Sequence, residues 1–239
     1  MHNVYIGLDR TGTLELPGLP PPAELSERLH ELQDEGVRLF IASGKSYDVL
    51  RHRCAELKLT PWMYCCENGG HIVIPEHAFE TVAPKHRDLE YFARSLDLMD
   101  LPPGKPEVKR SIWSRQFDKE VHDAKDIIAR FIWRHDLALN VYVHPEHDGA
   151  IDVIPTTIDK ANLVQYLPPA AVIHYFGDGD NDLGIMRHAR VTPHTVSNAR
   201  QAVRACVARR NGYISDLPAG MGVADMLERL SHRLGSAHA

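Results

Sequence analysis

Long apolar runs are missing from this chain: nowhere do its 239 residues sustain the ~20 consecutive apolar positions that a membrane helix needs. Cysteine is scarce. Cys54, Cys65, Cys66 and Cys206 are the only four, and none stands in a C-x-x-C pair. That excludes a disulfide framework or a cysteine-rich zinc module and favours reduced, buried thiols. On a strand, adjacent Cys65 and Cys66 would point to opposite faces. A strong charge of one sign is missing too. The net formal charge of −5 argues against a general nucleic-acid or anionic-membrane binder. The start, MHNVYIGLD, is too short and too soon polar for a signal peptide, so a cytoplasmic location is expected. Internal repeats and low-complexity tracts are absent.

What is present is ordinary globular composition, 44% hydrophobic and 25% charged, with enough chain for a core domain and a smaller one. Val4 to Leu8 is a short apolar run that reads as a buried strand. Pro20 to Pro22 lead into a helix from Ala23 to about Glu35, with Leu25, Leu29 and Leu32 on one face and Gly36 as its stop. A strand at Val37–Ala42, a helix at Ser46–Leu57 and a strand at Trp62–Cys66 complete a βαβαβ order, which predicts a parallel sheet with helices on both faces. The middle changes character. A helix within Pro84–Leu98, a strand at Glu107–Phe117, an amphipathic helix at Lys119–His135, and strands at Leu137–His144 and Ala150–Ile154 around a His147-Asp148-Gly149 turn form an α+β run. Helices at Lys160–Leu167, Asn181–His188, Ala199–Arg209 and Met221–Leu234, with a strand at Ala171–Phe176, restore the βα alternation. The expected fold is a doubly wound α/β sheet, residues 1–79 and 154–239, with an inserted α+β module at 80–153.

Four polar segments follow predicted strands or open a helix, and ligands bind beyond the carboxyl ends of parallel strands. They are Asp9-Arg10-Thr11-Gly12-Thr13, Ser43-Gly44-Lys45, Lys160, and Gly177-Asp178-Gly179-Asp180-Asn181-Asp182. Carboxylates gathered at one sheet edge repel unless a cation offsets them. Oxygen-rich acidic sites suit magnesium, and a lysine with a hydroxyl supplies donors for phosphate oxygens. Together these describe phosphoryl transfer, with a carboxylate able to act as the nucleophile.

In order and placement these segments resemble the motifs of haloacid dehalogenase (HAD) superfamily phosphatases from end to end. The insertion between the second and third segments is similar to that of the Cof-type, sucrose-phosphatase and mannosyl-3-phosphoglycerate-phosphatase branch, as are Asn198-Ala199 and Gly220 to Val223. The resemblance implies that Asp9 attacks phosphorus and that Mg²⁺ is held by Asp9, the Thr11 carbonyl and Asp178, with Asp182 in support. It implies that Ser43, Gly44, Lys160, Asn181 and the amides near Thr11 and Gly12 hold the phosphoryl group. The implied activity is magnesium-dependent hydrolysis of a small phosphate ester, sugar- or glycerate-type, by a monomer or homodimer with no membrane or nucleic-acid partner. A phosphotransferase or mutase, and a catalytically weak phosphate-ligand binding protein, are the alternatives.

The sequence departs from that pattern at one position. Thr11 stands where most HAD phosphatases carry an acid/base aspartate, so Asp9–Thr13 is similar instead to the D-K-T-G-T site of P-type ATPases. General acid–base help is worth roughly 10²–10⁴-fold. Three consequences are open: restriction to good leaving groups, replacement by another acid such as His144 or His147, or loss of catalysis. The plainer expectations are a solvated hairpin for His144, Glu146 and His147 rather than zinc, an N-cap role for Ser43, and an exposed Lys45. Lys109 and Arg115 share a face of the predicted strand by alternation, from which they would reach an anionic substrate or water, with Trp113 and Phe117 on that face.

Overall fold

The computed structural model describes residues 3–144 and 149–236. In chain order the strands are β1 (Val4–Asp9), β2 (Arg38–Ala42), β3 (Met63–Cys66), β4 (His71–Ile74), β5 (Phe79–Val82), β6 (Lys105–Glu107), β7 (Trp113–Gln116), β8 (Leu139–His144), β9 (Ala150–Pro155), β10 (Val172–Phe176) and β11 (Val191–His194). The helices are α1 (Ala23–Asp34), α2 (Tyr47–Glu56), α3 (Arg87–Arg94), α4 (Val121–Arg134), α5 (Leu183–Arg187), α6 (Gln201–Arg209) and α7 (Ala219–Ser236).

A seven-stranded sheet of order β11-β10-β1-β2-β3-β4-β5 carries the core. Its first five members are parallel, and β4 and β5 extend it antiparallel. The central strands are apolar on both faces because helices cover both. On one face Ile6, Leu8, Leu39, Ile41 and Cys66 pack against Leu25 and Leu29 of α1, Leu50 of α2 and Val223 of α7. On the other, Tyr5, Phe40, Cys65 and Tyr175 pack against Leu163, Ile185 and Val203. Cys65 and Cys66 thus do fall on opposite faces, and burial pushes both thiols up, Cys65 to about 12. Strand order reverses between β1 and β10, so a crevice opens beyond their carboxyl ends.

The second sheet, β6-β7-β9-β8, is antiparallel throughout. One face is covered by α3 and α4, where Phe92, Ile128 and Ile132 meet Phe117, Ile151 and Val153. The other face is polar and looks onto the crevice. The architecture is a doubly wound α/β core with an α+β cap. β5 belongs wholly to the large sheet, and β9 of the small sheet runs on to Pro155.

Three expectations change. Residues 107–117 are not one strand: β6 and β7 pair with each other, and residues 108–112 connect them. The segment reads as one strand because Val108 and Ile112 continue an alternating pattern through the connection. β4, β5 and β11 were not foreseen. Each is four residues long, and β11 contains Pro193, which an edge position tolerates. Helix α2 begins at Tyr47 with Ser46 at its N-cap, so Ser43, just after β2, is not the cap; its hydroxyl accepts the Lys45 amide at 3.4 Å instead. The expected His147-Asp148-Gly149 turn lies largely outside the described residues, and so do Glu146 and His147.

Within the large sheet, His174 and His194 stack at 5.2 Å between ring centroids, and His174 Nδ1 lies 3.0 Å from His194 Nε2. His194 Nδ1 accepts the Tyr213 amide at 3.2 Å, which leaves its Nε2 to donate to His174. A proton on His174 Nδ1 would meet that donor head-on. Burial holds His174 down to about 4, from an ordinary 6.5. Between those values the unfolded chain binds a proton that the fold does not, so stability is lost as pH falls from 6.5 toward 4. From pH 7 to pH 5, wild type should lose about 2 kcal/mol more than His174→Gln in urea melts. Equal losses would refute the neutral pair.

Candidate active site

Asp9 ends β1 and Asp178 follows β10, so the strand-order reversal brings these two carboxylates together. Lys160 arrives from the segment after β9, opening a 3-10 turn capped by Asp159, whose side chain accepts the Ala161 amide at 2.6 Å. Its side chain is wholly buried. The ammonium donates to Asp9 Oδ1 at 2.6 Å and to Asp182 Oδ1 at 2.7 Å. Burial opposes a charge on Lys160, but the Asp182 and Asp9 carboxylates outweigh it and push the ammonium up.

Carboxylate oxygens of Asp9, Asp178 and Asp182 all lie within 4.8 Å of one another. Asp182 is spoken for. Its Oδ1 takes Lys160 and the Tyr175 hydroxyl at 2.6 Å, and its Oδ2 takes the amides of Asp178 at 3.1 Å and Gly179 at 2.9 Å. That uses about all four acceptor positions of a carboxylate. Asp178 is anchored at Oδ1 by Thr13 at 2.7 Å. Burial pushes Asp9 up to about 6, Lys160 offsetting part of this, and burial with the charges of Asp9 and Asp182 pushes Asp178 up to about 8. Such a set, hard oxygen donors with an excess of negative charge over one ammonium, fits a divalent cation such as magnesium.

Gly12 takes φ +88°, and a Cβ there would strike the Asp178 carboxylate, so only glycine lets the loop lie this close. The loop is braced from outside. Arg10 donates to Glu15 at 2.6 Å and Arg53 to the same carboxylate at 2.8 Å.

Above the carboxylates lies a cavity of about 60 Å³. Asp9, Thr11, Ser43, Gly44, Asp178 and Asn181 line its floor, and Lys109, Tyr142, His144 and Asp152 of the cap form its roof. Of the expected phosphate contacts, Thr11, Ser43, Gly44 and Asn181 border it. Gly12 does not, and its amide is committed to Glu15 O at 2.7 Å. Lys160 sits beneath Asp9 rather than on the wall. Lys109 reaches the cavity from the β6–β7 connection, where it donates to Gly44 O at 2.6 Å and pairs with Glu107 at 3.0 Å. Arg115 does not reach it. Alternation puts Arg115 with Trp113 and Phe117 on the helix-covered face, its guanidinium 5.6 Å from the Trp113 ring centroid. Lys45 is not a solvated bystander: it pairs with Glu107 at 2.8 Å and borders the cavity.

Three residues went unforeseen. Asp152 lies within the apolar run of β9, where its neighbours Ile151 and Val153 face the cap helices, and only the period-2 pattern marks it. Asn68 hid in a turn signal, Asn-Gly-Gly. It accepts from Asn181 at 2.9 Å and lies 3.4 Å from Asp152. Glu67, wholly buried, receives the Ser111 amide at 2.7 Å and hydroxyl at 2.6 Å, which ties the core turn to the cap.

Comparison with known proteins agrees with this geometry. The structure aligns with a haloacid dehalogenase-like hydrolase from Bacteroides thetaiotaomicron, at TM-score 0.71 and 20% identity, over 95% of this chain and 98% of that one. It aligns with the sucrose-phosphatase of Synechocystis sp., solved with sucrose and phosphate, at TM-score 0.67 and 18% identity, over 97% and 98%. A Thermoplasma acidophilum protein aligns at TM-score 0.75 and 15% identity, over 95% and 97%. Residues 8–101 match the family model described as haloacid dehalogenase-like hydrolase. Residues 8–101 thus carry the sequence pattern of haloacid dehalogenase-like hydrolases, and the whole chain shares its fold with these solved structures. No curated protein sequence matches it. The part of the chain beyond residue 101, with the Lys160 and Asp178 segments, is aligned through structure alone.

Lys160 is the ammonium that holds two carboxylates in a buried place. Lys160→Met leaves them uncompensated and should cost about 3–5 kcal/mol. The deficit should shrink at pH 5 relative to pH 8, because the carboxylates then take up protons. Urea melts at both pH values measure it, and a pH-independent deficit would mean packing rather than charge.

Proposed function

We infer that the protein is a magnesium-dependent phosphatase that hydrolyses a small phosphate ester through an aspartyl-phosphate on Asp9. The observation that carries this reading is the Asp9 carboxylate itself. It is buried at the base of the cavity, with one oxygen held by Lys160. Asp178, Asp9 and the Thr11 carbonyl would hold the ion, with Asp182 behind them orienting Lys160 and the Asp178 loop. When bound, magnesium offsets charge on the phosphoryl oxygens and on the carboxylates. Lys160 keeps Asp9 ionised and aimed. Ser43 and Asn181, bordering the cavity, are suited to donate to phosphoryl oxygens.

A sugar- or glycerate-type substrate is consistent with the polar roof, since His144, Tyr142 and Asp152 are groups that pair with hydroxyls. The sucrose-phosphatase likeness points the same way by analogy. A cap over the site also limits bulk water during transfer. A cytoplasmic enzyme acting as monomer or homodimer, with cap bounds near residues 80 and 153, completes the reading.

The decisive assay is magnesium-dependent release of phosphate from p-nitrophenyl phosphate and a panel of sugar phosphates. Wild type should release it, and Asp9→Asn should not, at any magnesium concentration. Transfer to an acceptor sugar without free phosphate would mark a phosphotransferase instead. Separately, saturating magnesium should raise the melting temperature of wild type, by the equivalent of about 2.7 kcal/mol at 100 times Kd. Asp178→Asn should remove most of that shift. An equal shift in both proteins would place the ion elsewhere.

A further inference from the structure

An ester oxygen that leaves phosphorus as an alkoxide needs a proton, and the residues around Asp9 do not supply one. The Thr11 hydroxyl is not acidic near neutral pH. Lys160 is locked between two carboxylates at 2.6 and 2.7 Å and lies below the cavity floor. Proton carriers elsewhere on the wall are also committed. Lys45 and Lys109 share Glu107, at 2.8 and 3.0 Å, and Lys109 also donates to Gly44 O. Asp180 is paired with Arg200 at 2.6 Å. Burial, with the Asp159 and Asp180 carboxylates, pushes the Tyr142 phenol upward and away from useful acidity.

One pair remains among the described residues. His144 Nε2 lies 3.5 Å from Asp152 Oδ2, and both side chains border the cavity that Asp9 and Thr11 border from below. They stand on adjacent antiparallel strands: Asp152 is opposite Tyr142, and His144 is two residues further along on the same face. The Asp152 side chain is 5% exposed and the His144 side chain 21% exposed, so the carboxylate is fixed in the roof and the ring is open to the cavity. At 3.5 Å the contact is longer than the ~2.9–3.0 Å of a settled N–H···O bond, an ion-pair distance at which the buried carboxylate orients the ring. Burial disfavours charge on Asp152, yet the hydrogen bond and charge of His144 and the charge of Lys109 hold its carboxyl below the usual range. The roof therefore presents an ionised carboxylate placed to balance a proton on the ring. The charged groups facing this pair are Lys109 from the β6–β7 connection, and Arg200 and Asp180 from the core. Arg200 also donates to Val143 O at 3.3 Å, which fixes β8 where His144 is carried.

We propose that His144, with Asp152 as its positioning residue, is the proton carrier of the reaction. The assignment rests on the phosphatase reading above. In the first step an Asp9 oxygen bonds to phosphorus, and the ester P–O bond breaks with its electron pair on oxygen. The imidazolium proton of His144 passes to that oxygen, leaving alcohol, aspartyl-phosphate and neutral His144. In the second step neutral His144 takes a proton from water as the water oxygen bonds to phosphorus. The P–O bond to Asp9 breaks, and carboxylate, phosphate and imidazolium are restored. The acid thus comes from the cap rather than from the loop after β1, so only a seated cap completes the site.

The experiment compares p-nitrophenyl phosphate, whose leaving group needs no proton, with an alkyl phosphate such as glucose 6-phosphate. His144→Gln should lower kcat for the alkyl ester by roughly 10²-fold or more while leaving its KM within a few-fold. Phosphorylation of Asp9 by the aryl ester, read by intact-protein mass spectrometry after acid quench, should persist, with phosphoenzyme accumulating because water activation is slowed. Asp152→Asn should follow in the same direction to a smaller extent. Adding Thr11→Asp to His144→Gln should restore alkyl-ester turnover, which a merely structural role for His144 would not allow. Equal slowing of Asp9 phosphorylation by both esters, no loss of turnover with either, or the same selective loss in His147→Gln instead would overturn the assignment and leave the phosphatase reading standing. Failure of wild type to phosphorylate Asp9 with either ester would overturn both.

Discussion

The ammonium of Lys160 is the constraint around which the core closes. Two chain segments far apart in sequence, one ending on Asp9 and the other carrying Asp178 and Asp182, bring three carboxylates together at the reversal of strand order, where their charges repel. A single ammonium between Asp9 and Asp182 makes that convergence tolerable. Breaking one member of such a buried pair costs more than the pair contributes, so each member constrains the others. Asp182 shows how far this goes: with both oxygens fully engaged, it fixes Lys160 on one side and the Asp178–Gly179 loop on the other. Asp9 inherits its position from this arrangement.

The cap depends on the same anchor by a shorter route than its size suggests. Strand β9 belongs to the cap sheet, and five residues after it ends the chain buries Lys160. At the other border Glu67, at the end of β3, holds the Ser111 amide and hydroxyl. Asn68 stands next to it, between Asn181 of the core and Asp152 of the roof. Gly44 is kept small by the same crowding, since a Cβ there would come within 2.9 Å of Asp152. Floor and roof are thus joined through backbone and short polar side chains, which hold distances better than long flexible ones.

Much of this was legible in the sequence, for a physical reason. Asp9, Ser43, Lys160 and Asp178 stand at strand ends or helix starts, where a polar cluster interrupting an apolar run is a local signal. The doubly wound core was legible because its strands are apolar on both faces. What escaped was carried by long-range pairing. β4, β5 and β11 are short and gain their identity only from the strands beside them. The β6–β7 hairpin hid because its connection keeps the alternation of a strand, and with it went the expected partnership of Lys109 and Arg115. Side-chain direction was the other loss. Asp152 looked like a stray charge in an apolar strand until the second sheet assigned its faces, and Asn68 looked like punctuation.

Thr11 brings these threads together. Beside Asp9 it keeps the backbone of the loop and a small hydroxyl, but no acid. A second carboxylate there would join a cluster in which Asp178 is already pushed up to about 8 by burial and by its neighbours. Moving the proton-carrying function to the roof separates two demands that conflict on the floor. The floor must hold negative charge for a cation and a nucleophile. The proton carrier must sit beyond the ester oxygen, away from the carboxylates whose field would hold its proton back. Asp152 is paired within the roof with His144 rather than with Lys160, so in the proposed reaction it would hold charge near the leaving group without adding to the repulsion around Asp9. On the proposed reading, this division places phosphoryl chemistry in the core and leaving-group chemistry in the cap. A change in the cap would then alter which esters are cleaved while the carboxylate floor stays as it is.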